Sequence, residues 1–229
     1  MSGISVVIPA FNASATILET LASVAAQSLP PDEVILIDDG STDGTADLVR
    51  RSFPSVAVIA QPNAGAAAAS NAGVRRARGA LIALLDSDDL WPAGRLERQQ
   101  AALAAAPGLA GVGGHVESFV CPSLGPEEAA RFHVPDVPQP SLLSTALLLR
   151  REAFDAVGPY AEDLRVGFAI DWMHRAQKAG LGFLTLPDVV LRRRLRPGSL
   201  SRRTPARDSG YLEMARRAIA RARSAEGRS

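Results

Sequence analysis

Disulfides are excluded at once, because Cys121 is the only cysteine among 229 residues. A single thiol also gives no cysteine cluster for a metal, and it fits a reducing compartment. The N-terminal stretch lacks a charged segment followed by an apolar one. A secretory leader and a membrane anchor are therefore not expected, and the expected location is cytoplasmic. Neither charge sign dominates: the formal net charge is +1, which gives no global case for nucleic acid or a membrane surface. Lysine is nearly missing, with Lys178 the only one, a bias that follows base composition more simply than function. His115, His133 and His174 are not spaced as a metal site. No Gly-x-Gly-x-x-Gly follows the first strand pattern and no Walker loop is present, so dinucleotide and P-loop readings lack support. Internal repeats are absent.

What is present begins with an apolar run, Leu81 to Leu85, that ends in Asp86-Ser87-Asp88-Asp89. The run reads as a buried strand of a parallel sheet. Carboxylates at the C-terminal end of such a strand lie where open α/β sheets bind ligands. Three of them so close repel one another, and a raised pKa or a divalent cation relieves that. Oxygen-only ligands favour Mg²⁺ or Mn²⁺, which also suit a diphosphate. The plainer reading is an acidic turn before a helix starting near Trp91-Pro92.

The rest of the chain supplies the context. Ile4 to Ile8 reads as a strand stopping at Pro9, and Ala10-Phe11-Asn12-Ala13 as the loop after it. Asn12 or Ser14 is expected to cap a helix carrying Ile17, Leu21, Val24 and Ser28, ended by Pro30-Pro31. Val34 to Ile37 is a strand running into the acceptor-rich turn Asp38 to Thr45, followed by a helix from Ala46 to Arg51. Val56 to Ile59 is a third strand, leading to Gln61-Pro62-Asn63-Ala64-Gly65. A helix from Ala66 to Arg78 follows, with Gly79 expected at its C′ position. Strands alternating with helices, at about 25 residues per unit, indicate βαβ architecture with right-handed crossovers. At Gly111 to Gly114 the texture changes, and residues 121–141 read as a long proline-rich connection. Ser144 to Leu149 reads as a strand, with helices Arg151 to Val157 and Ala169 to Ala179 after it. Phe183 to Leu186 and Val189 to Leu191 read as two short strands around Pro187-Asp188. Then come Arg192, Arg193, Arg194 and Arg196, followed by Arg202, Arg203 and Arg207, a basic stretch suited to phosphates, whether of a nucleotide, a lipid headgroup or nucleic acid. Tyr211 to Arg223 has helical composition and reads as a solvated tail.

Val6 to Asn12, Leu36 to Thr45, Asn63-Ala64-Gly65 with Asn71-Ala72-Gly73, Leu84 to Asp89, Ser144 to Gly158 and Ala169 to Trp172 form an ordered set within residues 4–203. Together they resemble the family 2 glycosyltransferases, inverting enzymes of the GT-A fold. The resemblance implies an α/β nucleotide-diphospho-sugar transferase fold with a Rossmann-like, mostly parallel central sheet. It implies a donor half over 1–115, an acceptor half over 116–203 and a basic tail over 204–229. Donor contacts would come from Pro9, Ala10, Phe11, Asn12, Asp38, Asp39, Asn63, Gly65, Asn71, Asp86, Ser87 and Arg196. A carboxylate such as Asp39 can accept the imide N–H of uracil, the family's commonest base. Asp88, with Asp86, would hold Mg²⁺ or Mn²⁺, and Asp171 would be the general base toward an acceptor hydroxyl. A nucleotide-diphosphate sugar, most commonly a UDP-sugar, is thus the implied partner. The acceptor is not specified, peripheral membrane contact is compatible, and nucleic acid is not implied.

Three positions depart from the family pattern. Ser70 stands where an arginine is usual, Ile170 where a carboxylate precedes the base, and Arg196 where a histidine often lies near the diphosphate. Arg196 can bind phosphate and offset the charge missing at Ser70. The alternative these departures raise is a non-catalytic relative that binds a nucleotide or a partner. His174 lies on the helical face of Asp171 and, like Trp172 and Phe168, is expected to pack rather than react.

Overall fold

A computed structural model describes residues 3–197 and residue 199. The basic tail and Arg202, Arg203 and Arg207 lie outside the described residues. The chain opens as three βα units: β1 (Ile4–Ala10), α1 (Ile17–Ala25), β2 (Glu33–Asp38), α2 (Thr45–Ser52), β3 (Ala57–Ala60) and α3 (Ala66–Arg76). It continues through β4 (Leu81–Leu84), α4 (Arg95–Ala105), β5 (Leu109–Val120), a short α5 (Pro126–Ala129) and β6 (Gln139–Ser141). A 3₁₀ turn at Ser144–Ala146 leads to β7 (Leu148–Arg150), α6 (Arg151–Val157), α7 (Phe168–Lys178) and β8 (Gly182–Leu195).

One sheet runs in the order β3-β2-β1-β4-β7-β5-β6, and β8 pairs with the other edge of β5. β3, β2, β1 and β4 are mutually parallel. β7 is antiparallel to both β4 and β5, while β8 is parallel to β5. β1 and β4, at the centre of the first half, are short β-branched or apolar runs covered on both faces, so nearly every one of their residues is buried, whereas the edge strand β3 is not. Alternation along β1 divides two cores. Val6 and Ile8 face Ile17 and Leu21 of α1 and Leu96 of α4, whereas Val7 faces Ala69 and Val74 of α3 with Phe154 and Trp172. Burying side chains of this size stabilises by about 1.5–3 kcal/mol each.

Several expectations need correction. Neither Asn12 nor Ser14 caps α1, whose N-cap is Thr16 without a side-chain cap hydrogen bond. Gly79 is not the C′ residue of α3, which closes at Ala77. A Cβ at Gly79 would sit 2.5 Å from Gly3 O, so glycine serves backbone approach there, not a helix end. The change of texture at Gly111 to Gly114 lies inside β5. The proline-rich connection contains α5 and β6. Ser144 to Ala146 form a 3₁₀ turn rather than strand. The two short strands near Pro187 are one strand, β8, which also takes in Arg192, Arg193 and Arg194.

Candidate active site

The parallel strands β1 to β4 end at one edge, and their loops are stitched together there. Asn12, with φ of +49°, receives the Thr42 N–H on its Oδ1 at 2.9 Å, and its own N–H donates to Ser41 Oγ at 2.9 Å. Ser14 N donates to Asp43 Oδ2 and Ala13 N to Thr45 Oγ1, each at 2.9 Å. These bonds fix the first loop against the second. Phe11 is left 46% exposed at the junction, an apolar face available to a flat ligand.

Asp38 and Asp39 both turn inward. Asp38 Oδ1 accepts Ser41 N at 3.3 Å. Asp39 Oδ1 accepts Gln61 Nε2 at 2.7 Å and Ala64 N at 2.9 Å, and Oδ2 accepts Gly65 N at 2.8 Å. Asn63 Nδ2 donates to Asp39 O at 2.8 Å. The carboxylate read as an acceptor for a nucleobase thus also holds the loop of Asn63 and Gly65. Asn71 has protein partners of its own. It is buried, takes the Tyr160 N–H on Oδ1 at 2.9 Å, and donates through Nδ2 to Tyr160 O at 3.0 Å and Glu162 Oε1 at 2.9 Å. It clips α3 to the connection between α6 and α7. Ser70 bonds back to Ala66 O within its own helix.

At the end of β4, Asp86 keeps solvent-accessible area, while protein atoms crowd around its carboxyl. That enclosure, and then the Asp88 carboxylate, push Asp86 up to about 6 against the pull of Arg193. Asp89 is buried and raised well above the usual range by burial, then by Asp86 and Asp88. It accepts Arg194 N at 2.8 Å. Asp88 Oδ2 accepts Arg196 Nε at 2.7 Å. Ser87 contributes its carbonyl, which accepts Thr16 Oγ1 at 2.9 Å and Thr20 Oγ1 at 3.1 Å. Beside Arg196 a cavity of about 510 Å³ opens between Thr16, Glu19, Cys121, Ser123 and Arg194.

Among the described residues no group of three or more His, Cys, Asp or Glu is arranged to hold a metal ion. Asp86 and Asp88 alone are two hard-oxygen ligands whose mutual repulsion is registered in the raised Asp86. That donor set suits a cation bound jointly with a diphosphate, the usual habit of Mg²⁺, and not a dedicated protein cage.

Asp171 sits in the first turn of α7 and is 5% exposed. Arg175 Nε donates to its Oδ2 at 2.9 Å, while the other arms of Arg175 hold Val157 O and Pro159 O, each at 2.7 Å. His174 is exposed, so Arg175 and not His174 is the helical-face partner. Trp172 is core, stacked on Phe154 and tilted against Tyr160. Tyr160 has a buried hydroxyl pushed upward by loss of water; its Ser144 hydrogen bond and Arg175 pull it down, and Asp86 pushes it up. One buried phenol therefore lies within electrostatic reach of the acidic loop and of the ion pair on α7. Sequence reasoning missed Thr16, Thr20 and Tyr160, and it gave Asp89 and Arg194 only as members of an acidic and a basic run. A pair of threonines four residues apart was the signal for the first two.

The family model for glycosyl transferase family 2 matches residues 5–157. Glycosyltransferase AglE of Haloferax volcanii is 29% identical over 201 residues, covering 82% of this chain and 65% of AglE. The Escherichia coli UDP-Glc:alpha-D-GlcNAc-diphosphoundecaprenol beta-1,3-glucosyltransferase WfaP is 37% identical over 101 residues, 43% of this chain and 40% of WfaP. The chain spans less than two thirds of the length of each. The solved mannosyltransferase PcManGT of Pyrobaculum calidifontis, in complex with GDP-Man and Mn²⁺, superposes with a TM-score of 0.67 at 23% identity. That match covers 94% of this chain and 65% of PcManGT. The expected GT-A architecture is thereby met, with parallel strand ends carrying the acidic loop and the mixed strands beyond it. The matched span, from the first strand through α6, takes in every loop of that edge, and the chain belongs to glycosyl transferase family 2.

Proposed function

We propose that the chain transfers a sugar from a nucleotide-diphosphate sugar to an acceptor hydroxyl with inversion. The observation that carries this reading is the acidic loop. Two carboxylates, Asp86 and Asp88, stand at the open end of a parallel sheet with a guanidinium, Arg196, on one of them. Pro9, Ala10, Phe11 and Asn12 form the wall for base and ribose, and Asp38, Asp39, Asn63 and Gly65 shape the adjoining loop. Residues up to about 115 form the donor half and residues 116–203 the acceptor half; the boundary falls inside β5, so both halves share one sheet. Asp88, with Asp86, would hold Mg²⁺ or Mn²⁺, which when bound neutralises charge on the diphosphate as it leaves. Arg196 is within reach of the same phosphates. PcManGT carries Mn²⁺ and GDP-Man, and WfaP is named for UDP-Glc, so UDP and GDP are the nucleotides to try first. The matched relatives carry transferase names, which does not favour the non-catalytic alternative.

Asp171 is the proposed base, taking the acceptor's proton. Its ion pair and burial favour a second reading, in which it orients Arg175 and through it the turn at Val157 to Pro159. Turnover of UDP- and GDP-sugars with Mn²⁺ tests the function. Asp88→Ala should lower turnover by at least about 10³-fold. Full activity of that variant in the presence of a chelator ends the cation assignment. For Asp171→Asn, unchanged nucleotide binding and melting temperature with turnover down by about 10³-fold supports the base. A lowered melting temperature with proportionate activity supports the anchor.

A further inference from the structure

Arg194, near the end of β8, and Arg196, just past it, both reach the same aspartate. The segment from Asp88 to Leu90 runs antiparallel beside β8, with Leu90 and Arg192 exchanging backbone hydrogen bonds at 3.0 and 2.9 Å. Within that pairing Arg194 does something Arg196 does not. Its Nε donates to Asp88 O at 2.7 Å, its Nη2 to Glu19 Oε2 on α1 at 2.6 Å, and its Nη1 lies 3.8 Å from Cys121 Sγ. The guanidinium also lies over the Phe119 ring, 4.8 Å from its centre. The side chain is 3% exposed, so its donors would be costly to leave without acceptors. From the other side, Thr16 and Thr20 both donate to Ser87 O.

The carbonyls of Ser87 and Asp88 belong to the two peptide planes that flank the Asp88 Cα. A peptide is planar, and only two soft dihedrals per residue remain. Fixing both planes therefore fixes the direction of the Asp88 Cα–Cβ bond, the root from which its carboxylate extends. α1 fixes one plane and Arg194 the other. Its planar fork suits two acceptors on different elements, whereas an ammonium cannot hold both in that geometry.

We propose that Arg194 is a positioning residue that aims the Asp88 carboxylate at the cation and diphosphate of the donor. The proposal rests on the cation reading above and adds a residue that touches neither ligand. Titration calorimetry of UDP and GDP, each with Mn²⁺ and with a chelator, tests it on the whole chain. Arg194→Lys should weaken Mn²⁺-supported nucleotide binding at least tenfold while leaving binding in chelator within twofold. A purely structural residue would lower the melting temperature and leave the ratio of the two affinities at its wild-type value, which overturns the proposal. Thr20→Val loosens the opposite plane and keeps the test alive if Arg194→Lys does not fold. It should reduce the same ratio about threefold, and an unchanged ratio there counts against the proposal equally. If wild-type binding itself ignores Mn²⁺, the cation reading fails and the proposal falls with it. A Mn²⁺-dependent wild type with indifferent variants sinks the proposal alone.

Discussion

The parallel half of the sheet and the mixed half are built by different means. β1, β2 and β3 are neighbours joined by single helical crossovers, α3 carries the chain back to β4 beside β1, and the first two loops bond to one another directly. Beyond α4 the strands pair across longer gaps, and polar side chains carry much of the joining. Arg95 and Gln99 of α4 are both fully buried and hold Leu147 O, Ala146 O and Val112 O. Burial without a neighbouring acid brings the Arg95 guanidinium down to about 9. Arg150 ties β7 to Leu103 O and Leu109 O, and Arg151 ties α6 to Gly79 O and Ala77 O. The first half is thus specified by apolar packing, and the second by donors threaded between elements. The acidic loop, Asp86 to Asp89, lies where the two meet.

Tight packing in the first half should be easiest to break. A Cβ at Gly73 would meet Val7 Cγ1 at 2.2 Å, between α3 and β1. Gly73→Ala should cost about 1–3 kcal/mol by overpacking, read by denaturant unfolding. Gly125, before α5, has nothing within 4 Å of such a Cβ and an ordinary φ of −66°. Gly125→Ala should change stability by less than about 0.5 kcal/mol. Equal effects at the two sites would mean that the halves are packed alike.

Asn71 sharpens the comparison at the junction. Asn71→Ala leaves the buried Tyr160 N–H without its acceptor and should cost about 1–3 kcal/mol. Nucleotide affinity, measured well below the melting transition, should stay within about twofold if the clip is its whole role. A tenfold loss of affinity would return Asn71 to the donor site.

Arg196 separates two uses of one charge. Without a ligand it pairs with Asp88; in the proposed donor complex it would turn to phosphate oxygens. Arg196→Ala should strengthen Mn²⁺ binding in the absence of nucleotide, because a competing cation is gone. It should also weaken nucleotide diphosphate binding by about tenfold, in the range of a lost charge-assisted pair. Opposite signs in the two titrations are the expected outcome, and the same sign in both would show that the ion pair is incidental.

The sequence was most legible where structure is local. β1, β2 and β4 are apolar runs, and Asp86 and Asp88 were found because they follow such a run. β5 was missed because Gly111, Gly113 and Gly114 have low strand propensity. The reason they are glycine is long-range: a Cβ at Gly113 would stand 2.4 Å from Ser141 O, and one at Gly114 2.8 Å from Asp188 O. β8 looked like two strands because Pro187 falls where the register slips, between Gly113 opposite Thr185 and His115 opposite Val189. Arg192 to Arg196 read as a charge run, and only pairing more than 100 residues apart shows that Arg194 and Arg196 are tied to the acidic loop. The structural bonds of Asp39 and Asn71 were hidden for a related reason. Motif spacing places a polar side chain near a site without showing which neighbouring backbone it also holds.

The smallest effect concerns the stitching of the first two loops. Partial burial raises the Asp43 carboxyl, but hydrogen bonds from the Thr45 hydroxyl, Ser14 and the Thr45 backbone outweigh it and bring the group down to about 2. A carboxylate whose folded pKa lies below its ordinary value of 3.8 stabilises the fold above that value, and the contribution disappears as pH falls through about 2. Asp43 is solvent-exposed, so screening keeps the gain small. Asp43→Asn should melt slightly below wild type at pH 6, and the two melting curves should converge as pH drops from about 4 to about 2. A constant gap across that window would mean that the amide loses hydrogen-bond geometry and that charge contributes nothing. A gap widening with acid would contradict the sign of the shift. Because Asp43 bonds Ser14 across the first two loops, convergence in acid would also show that their stitching depends on the ionised group.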